Sequence, residues 1–126
     1  MGPGLTFDTG ALIALERRNA RMLKVFRAAA LRQTAITVPA AVVAEWWRGQ
    51  RDRVVRNLLE SVDIEPLLET TAKAAGEALA ATGGSNAIDA VVMASAASRG
   101  DVVYTSDMGD LLQLKEHFRS VRVLQA

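Results

Sequence analysis

Four acidic side chains of this 126-residue chain stand where they could do chemistry. Asp8 follows Leu-Thr-Phe and Asp107 follows Val-Val-Tyr-Thr-Ser, so both sit at the carboxyl ends of short β-branched or aromatic runs. Glu45 is embedded in PAAVVAEWW, and Asp89 lies near the start of NAIDAVVMASA, a stretch otherwise made of small or apolar residues. A carboxylate in such surroundings is costly unless a cation or hydrogen-bond donors satisfy it. Each acid also has a plain structural reading. Asp8 and Asp107 can cap helices, Glu45 can pair with Arg48 three residues on, and Asp89 can answer the backbone N–H groups of a first helical turn. The four together are harder to explain that way. An oxygen-only donor set without cysteine or histidine suits a hard cation such as Mg²⁺ or Mn²⁺. Asp110, one helical turn beyond Asp107 in SDMGDL, is close enough to join them.

The elements that must position these acids alternate along the chain. A strand is predicted at 5–7, with Thr9 as cap of a helix through Leu15. A basic helix follows with Met22, Val25, Phe26 and Ala29 on one face. A strand at 35–38 leads through Pro39 into a helix over 40–50, and an Arg-rich helix runs to Glu60. A strand at 62–65, a helix at 69–81 and the loop Thr82-Gly83-Gly84-Ser85 come next. Ser85 or Asn86 then caps a small-residue helix through Ala97, stopped by Gly100. A strand at 102–105, a helix at 108–117 and a strand at 121–124 complete the chain. Such alternation predicts an α/β fold, a three-layer α/β/α sandwich around a mainly parallel sheet, formed as one domain over residues 1–126. Ligands of such sheets sit at the carboxyl ends of the strands, where Asp8 and Asp107 fall.

Composition narrows the classes. The absence of cysteine excludes a disulfide framework, a cysteine-ligated zinc and a cysteine nucleophile. Apolar runs are too short to span a membrane, and the N-terminus lacks the basic and apolar regions of a signal peptide, so the expected location is cytoplasmic. Gly2 followed by Thr6 matches a loose myristoylation pattern, but Leu5-Thr6-Phe7 reads as a buried strand. Net charge is only +1, yet residues 1–63 carry ten Lys/Arg against six Asp/Glu, while residues 64–126 carry five against eight. The surplus clusters at Arg17, Arg18, Arg21, Lys24, Arg27 and Arg32, and again at Arg48, Arg51, Arg53 and Arg56. These are solvated helix faces or a phosphate-facing surface, with Arg17, Arg18 and Arg21 the candidates for contact with nucleic-acid phosphates. Of Trp46 and Trp47, one belongs in the core and the other at an interface or under a base. His117, the lone histidine, reads as a helix-end residue.

FDTGALIAL, PAAVVAEWWRG, AIDAVVMASAASRG and YTSDMGDL, in that order and over nearly the whole chain, resemble the PIN domains of VapC-type toxins from bacterial toxin–antitoxin pairs. The resemblance implies a catalytic quartet of Asp8, Glu45, Asp89 and Asp107, with Asp110 as an accessory acid and Thr9 as the small hydroxyl residue after the first Asp. It further implies an endoribonuclease that hydrolyses RNA phosphodiester bonds with one or two Mg²⁺ or Mn²⁺ ions, held by Asp8, Asp89 and Asp107 while Glu45 orients water. Inhibited translation, a homodimer and neutralisation by a cognate VapB-like antitoxin belong to the same expectation.

Two other readings compete. A phosphotransfer enzyme or phosphatase on a similar sheet is disfavoured, because Gly10 stands where a dehalogenase-like phosphatase places its second Asp. A receiver domain would carry a lysine after a late strand, where this chain has Ser106-Asp107. A non-catalytic module that only binds RNA or a protein lacks support in the acids, which are all present.

Overall fold

The computed structural model describes residues 3–50 and 52–126, so Gly2 of the N-terminal pattern and Arg51 of the second basic cluster lie outside it. Strands β1 (Leu5–Phe7), β2 (Ile36–Pro39), β3 (Asp63–Glu65), β4 (Val102–Thr105) and β5 (Arg122–Gln125) form one parallel sheet in the order β3-β2-β1-β4-β5. The chain first steps outward from β1 through β2 to β3, then crosses to the other side of β1 for β4 and β5. The strand order therefore reverses between β1 and β4, where open parallel sheets form their binding crevice.

Burial on both faces explains the composition of the inner strands. All of Ile36–Pro39 is buried, as are Thr6 and Phe7 of β1 and Val102, Val103 and Thr105 of β4. Such strands read as continuous apolar runs because helices cover both sides. The outer strands differ: Asp63 and Ile64 on β3 and Arg122 on β5 are exposed, and charges on an edge discourage pairing with another chain.

Among the described residues seven helices cover the sheet: α1 (Thr9–Glu16), α2 (Ala20–Leu31), α3 (Ala40–Trp46), α4 (Arg53–Glu60), α5 (Glu69–Thr82), α6 (Ala87–Arg99) and α7 (Met108–Lys115). The α/β sandwich is thus as expected, with differences at element ends. Asp8, not Thr9, caps α1, because its carboxylate accepts a bond from the Ala11 N–H at 2.9 Å while Thr9 is already the first helical residue. The helix after β2 ends at Trp46 instead of running to Gln50, since Trp47 takes extended backbone. The last helix stops at Lys115, the final strand begins at Arg122, and α6 continues to Arg99.

Helix α6 decides where the site lies. Residues Asp89–Ala96 are buried without a break, so the helix is enclosed on all sides by the sheet, α5 and α7. Small side chains allow that close approach, and Asn86 fixes its start by accepting a bond from the Asp89 N–H at 3.0 Å. The far end is pinned by polar bonds. Arg99 donates to Asp101 and to Thr6 at 2.9 Å each and also engages Glu65, while Thr6 donates to Asp101 at 2.8 Å. These partners satisfy the buried Asp101 carboxylate and lock α6 across β1, β3 and the start of β4.

Candidate metal centre

Pairing of β1 with β4 sets Phe7 beside Tyr104, and the Asp8 N–H donates to the Tyr104 carbonyl at 3.3 Å. Asp8 thus leaves its strand alongside Thr105, two residues before Asp107. The Thr105 hydroxyl donates to the second oxygen of Asp8 and accepts from the Asp107 N–H at 2.8 Å. One threonine therefore fixes a carboxylate at the end of β1 and the backbone that carries the acid at the end of β4. Thr105 is not among the candidate residues that type and spacing single out. Its only local signal was a hydroxyl residue at the last position of a strand, two before an acid.

Asp107 occupies the N-cap position of α7, yet its side chain makes no capping bond. The carboxylate is exposed and turned to its neighbours: one oxygen each from Asp89, Asp107 and Asp110 lie within 4.8 Å of one another. Asp110 therefore belongs to the tightest acidic group among the described residues, more closely than its accessory reading suggested. Asp8 stands beside this trio with its oxygens already engaged by Ala11 and Thr105. Gly10 permits the arrangement, since a Cβ there would meet the Ser106 side chain at 1.8 Å and its backbone nitrogen at 3.0 Å. Any larger residue would push Ser106, and Asp107 with it, away from α1.

Glu45 enters from α3, on the opposite side of β1 from β4. The apolar setting of PAAVVAEWW suggested a buried acid, but Glu45 is exposed and accepts a hydrogen bond from Thr9. Nor does it pair with Arg48, whose guanidinium turns back to the carbonyls of Ala44 and Trp47. Val42 and Trp46 hold α3 in the core, and the Trp46 indole donates to Glu16 of α1 at 3.2 Å. Trp47, more than a third exposed, is the outward member of the pair.

Electrostatics make this corner costly as it stands. Desolvation raises the pKa of Asp89 to about 7, helped by the charges of Asp8, Asp107, Asp110 and Glu45. Burial likewise raises Asp8, opposed by its bonds from Thr105, Ala11 and Gly10. Asp110 is raised by the hydrogen bond it shares with Asp107 and by that neighbour's charge. The second oxygen of Asp89 is buried with no hydrogen-bond partner, the one such side-chain atom among the described residues. An unsatisfied buried group of this kind costs on the order of 1–3 kcal/mol, and more when charged. A hard divalent cation answers both faults, because it offers the orphaned oxygen a partner and offsets the mutual repulsion. The residues present fit such an ion. Replacing Thr105 by Val is expected to cost about 1–2 kcal/mol in urea unfolding and to weaken Mn²⁺ affinity about tenfold in calorimetry. Unchanged Mn²⁺ affinity would reduce Thr105 to a purely structural bond.

Arg17, Arg18 and Arg21 are all exposed. Arg17 lines a cleft of about 350 Å³ together with Gly10 and Ser106, neighbours of Asp8 and Asp107. His117, exposed beyond the end of α7 and stacked edge-on against Phe118, has no place in the site. Among the described residues no helix is long and apolar enough to cross a membrane.

Comparison with known proteins places this geometry in context. The PIN domain model matches residues 5–114, a span that holds every acid described above. No curated protein sequence matches. Among solved structures, a chain of VapBC from Salmonella typhimurium, solved bound to DNA, superposes with a TM-score of 0.73 at 17% identity, covering 98% of each chain. A chain of VapBC2 from Rickettsia felis, bound to a DNA fragment from its promoter, gives 0.72 at 14% identity over 97% of this chain and 98% of that one. A chain of FitAB bound to a DNA fragment gives 0.69 at 22% identity, over 96% and 94%. At these identities the likeness is one of fold.

Proposed function

The chain belongs to the PIN domain family, and from that membership together with the acidic corner at the β1–β4 switch point we propose that it is a metal-dependent endoribonuclease, the VapC-type toxin of a toxin–antitoxin pair. The observation that carries this reading is Asp89, which has one buried oxygen without a partner and brings a carboxylate oxygen within 4.8 Å of oxygens from Asp107 and Asp110. Asp89, Asp107 and Asp110 would hold Mg²⁺ or Mn²⁺, with Asp8 on the remaining side of the group. A divalent cation there supplies charge neutralisation at phosphoryl oxygens and a lowered pKa for a water molecule.

The chain's own residues divide the remaining work. Asp8, held by Thr105 and the N-terminus of α1, presents a fixed negative edge that needs no reorganisation when substrate arrives. Glu45, exposed, bonded by Thr9 and near enough for its charge to act on Asp89, would orient a water or take its proton. Asp107 and Asp110, both exposed at the start of α7, keep a pair of carboxylates within reach of Asp89. Arg17 lines the same cleft as Ser106 and would meet an RNA phosphate there.

An acidic corner that keeps other anions out also gives an antitoxin a means of inhibition, since a basic side chain placed there would compensate the same charges. The presence of VapBC and FitAB complexes among the fold relatives supports a cognate antitoxin partner, and a homodimer acting in the cytoplasm remains part of the proposal. The test is cleavage of total cellular RNA by the purified protein with Mg²⁺ or Mn²⁺, and again with EDTA. Discrete fragments that require the metal are expected. Intact RNA under every metal condition would leave the acids as an RNA- or protein-binding surface without catalysis.

A further inference from the structure

Helix α2 carries its charges beside a cavity that the acidic corner does not use. A groove of about 650 Å³ runs between α2 and the sheet, within the size range of ligand sites. Arg21, Lys24 and Arg32 line one side, one to three helical turns apart. No acidic side chain lines it, and among the described residues none of the three cations has a salt-bridge partner. The floor is not polar: Leu5, Val25 and Ala29 form it, with Tyr104 half-buried at its edge.

We propose that this groove binds a length of single-stranded RNA away from the scissile bond, with phosphates on Arg21, Lys24 and Arg32 and an unpaired base against Tyr104 and the apolar floor. The inference rests on the nuclease reading and extends it to the form of the substrate. A row of unpaired cations matches a phosphate backbone. A duplex would bring only phosphates and sugars to the groove and leave its apolar floor unmatched, whereas a single strand offers flat base faces as well. Position favours RNA over an acidic protein segment. Tyr104 of the groove, Ser106 of the Arg17 cleft and Asp107 of the site follow one another at the end of β4. Along the other wall Arg17 and Asn19 line the cleft and Arg21 lines the groove, so one strand leaving the acids passes the cleft and then enters the groove.

The experiment compares two double variants of the full chain that lose the same charge: Lys24→Gln with Arg32→Gln in the groove, and Arg119→Gln with Arg122→Gln, both exposed, elsewhere. Anisotropy of a labelled single-stranded RNA, measured in EDTA across a salt series, reads binding without any cleavage. The groove pair is expected to weaken binding roughly tenfold near physiological salt and to flatten the slope of log affinity against log salt by about 1.4, or about 0.7 per lost contact. The control pair should change neither by half as much, and a duplex of the same sequence should bind both proteins alike. In cleavage assays the groove pair should raise KM and leave kcat in place. Equal losses in both pairs, or none in the groove pair, would overturn the proposal and leave the groove to an acidic protein segment. If the unaltered protein cuts no RNA but the groove pair still loses single-strand binding, the nuclease reading falls and the groove stands.

Discussion

Asp89→Asn is expected to abolish RNA cleavage in a protein that remains folded. The substitution keeps the size of the side chain and removes the charge at the centre of the acidic group. Asp89 receives charge contributions from all four other acids, so its carboxylate is the point on which the corner converges. Electrostatic stabilisation by a bound cation is worth several kcal/mol, and each 1.4 kcal/mol is about tenfold, so a loss on the order of a hundred- to a thousandfold follows. Asp8→Asn should behave alike in activity, since the charge is lost and one of its two oxygens becomes an NH₂ group, which can no longer accept from Ala11 or from Thr105. The control is circular dichroism and the melting temperature. Folded protein with retained turnover in either variant would sink the assignment of these acids, while an unfolded variant would make Asp8 primarily a helix cap.

The second large effect is on stability against pH. Asp89 titrates near 3.8 when unfolded and at about 7 in the metal-free fold. Between those values the folded chain holds a proton that the unfolded chain has released, so stability falls as pH rises through that window. Metal-free protein should therefore melt lower at about pH 8 than at about pH 5, and Asp8 and Asp110, also raised, act in the same direction. Asp89→Asn should raise the melting temperature at the higher pH and change it little at the lower one. Mn²⁺ should stabilise the unaltered protein more as pH rises, because it binds the deprotonated acids. A melting temperature for the unaltered protein that is flat across this range, or a Mn²⁺ effect that shrinks as pH rises, would show that the acids do not repel one another as placed.

What the sequence determined by itself was local. The bounds of β1 and β4 follow from β-branched and aromatic runs ended by acids, and the start of α6 follows from Asn86, whose capping bond spans three residues. The layered parallel sheet follows from the alternation of those signals, and the order of the four acidic motifs carried the family resemblance that the domain match bears out. Tertiary structure decided what depends on partners far along the chain. Thr105 reaches Asp8 across 97 residues, a bond no window of sequence contains. Glu45 looked buried because its neighbours are apolar, yet at a helical period Val42 and Trp46 take the core and Glu45 turns outward to Thr9. Asp110 joined Asp89 and Asp107 because α6 and α7 begin side by side, and the Asp89 oxygen lost every partner because α6 is buried on all sides. The groove beneath α2 was likewise invisible, since a run of basic residues looks the same in sequence whether its helix faces open solvent or walls a cavity. Side-chain type and spacing are local properties, whereas desolvation and convergence arise only when distant elements pack.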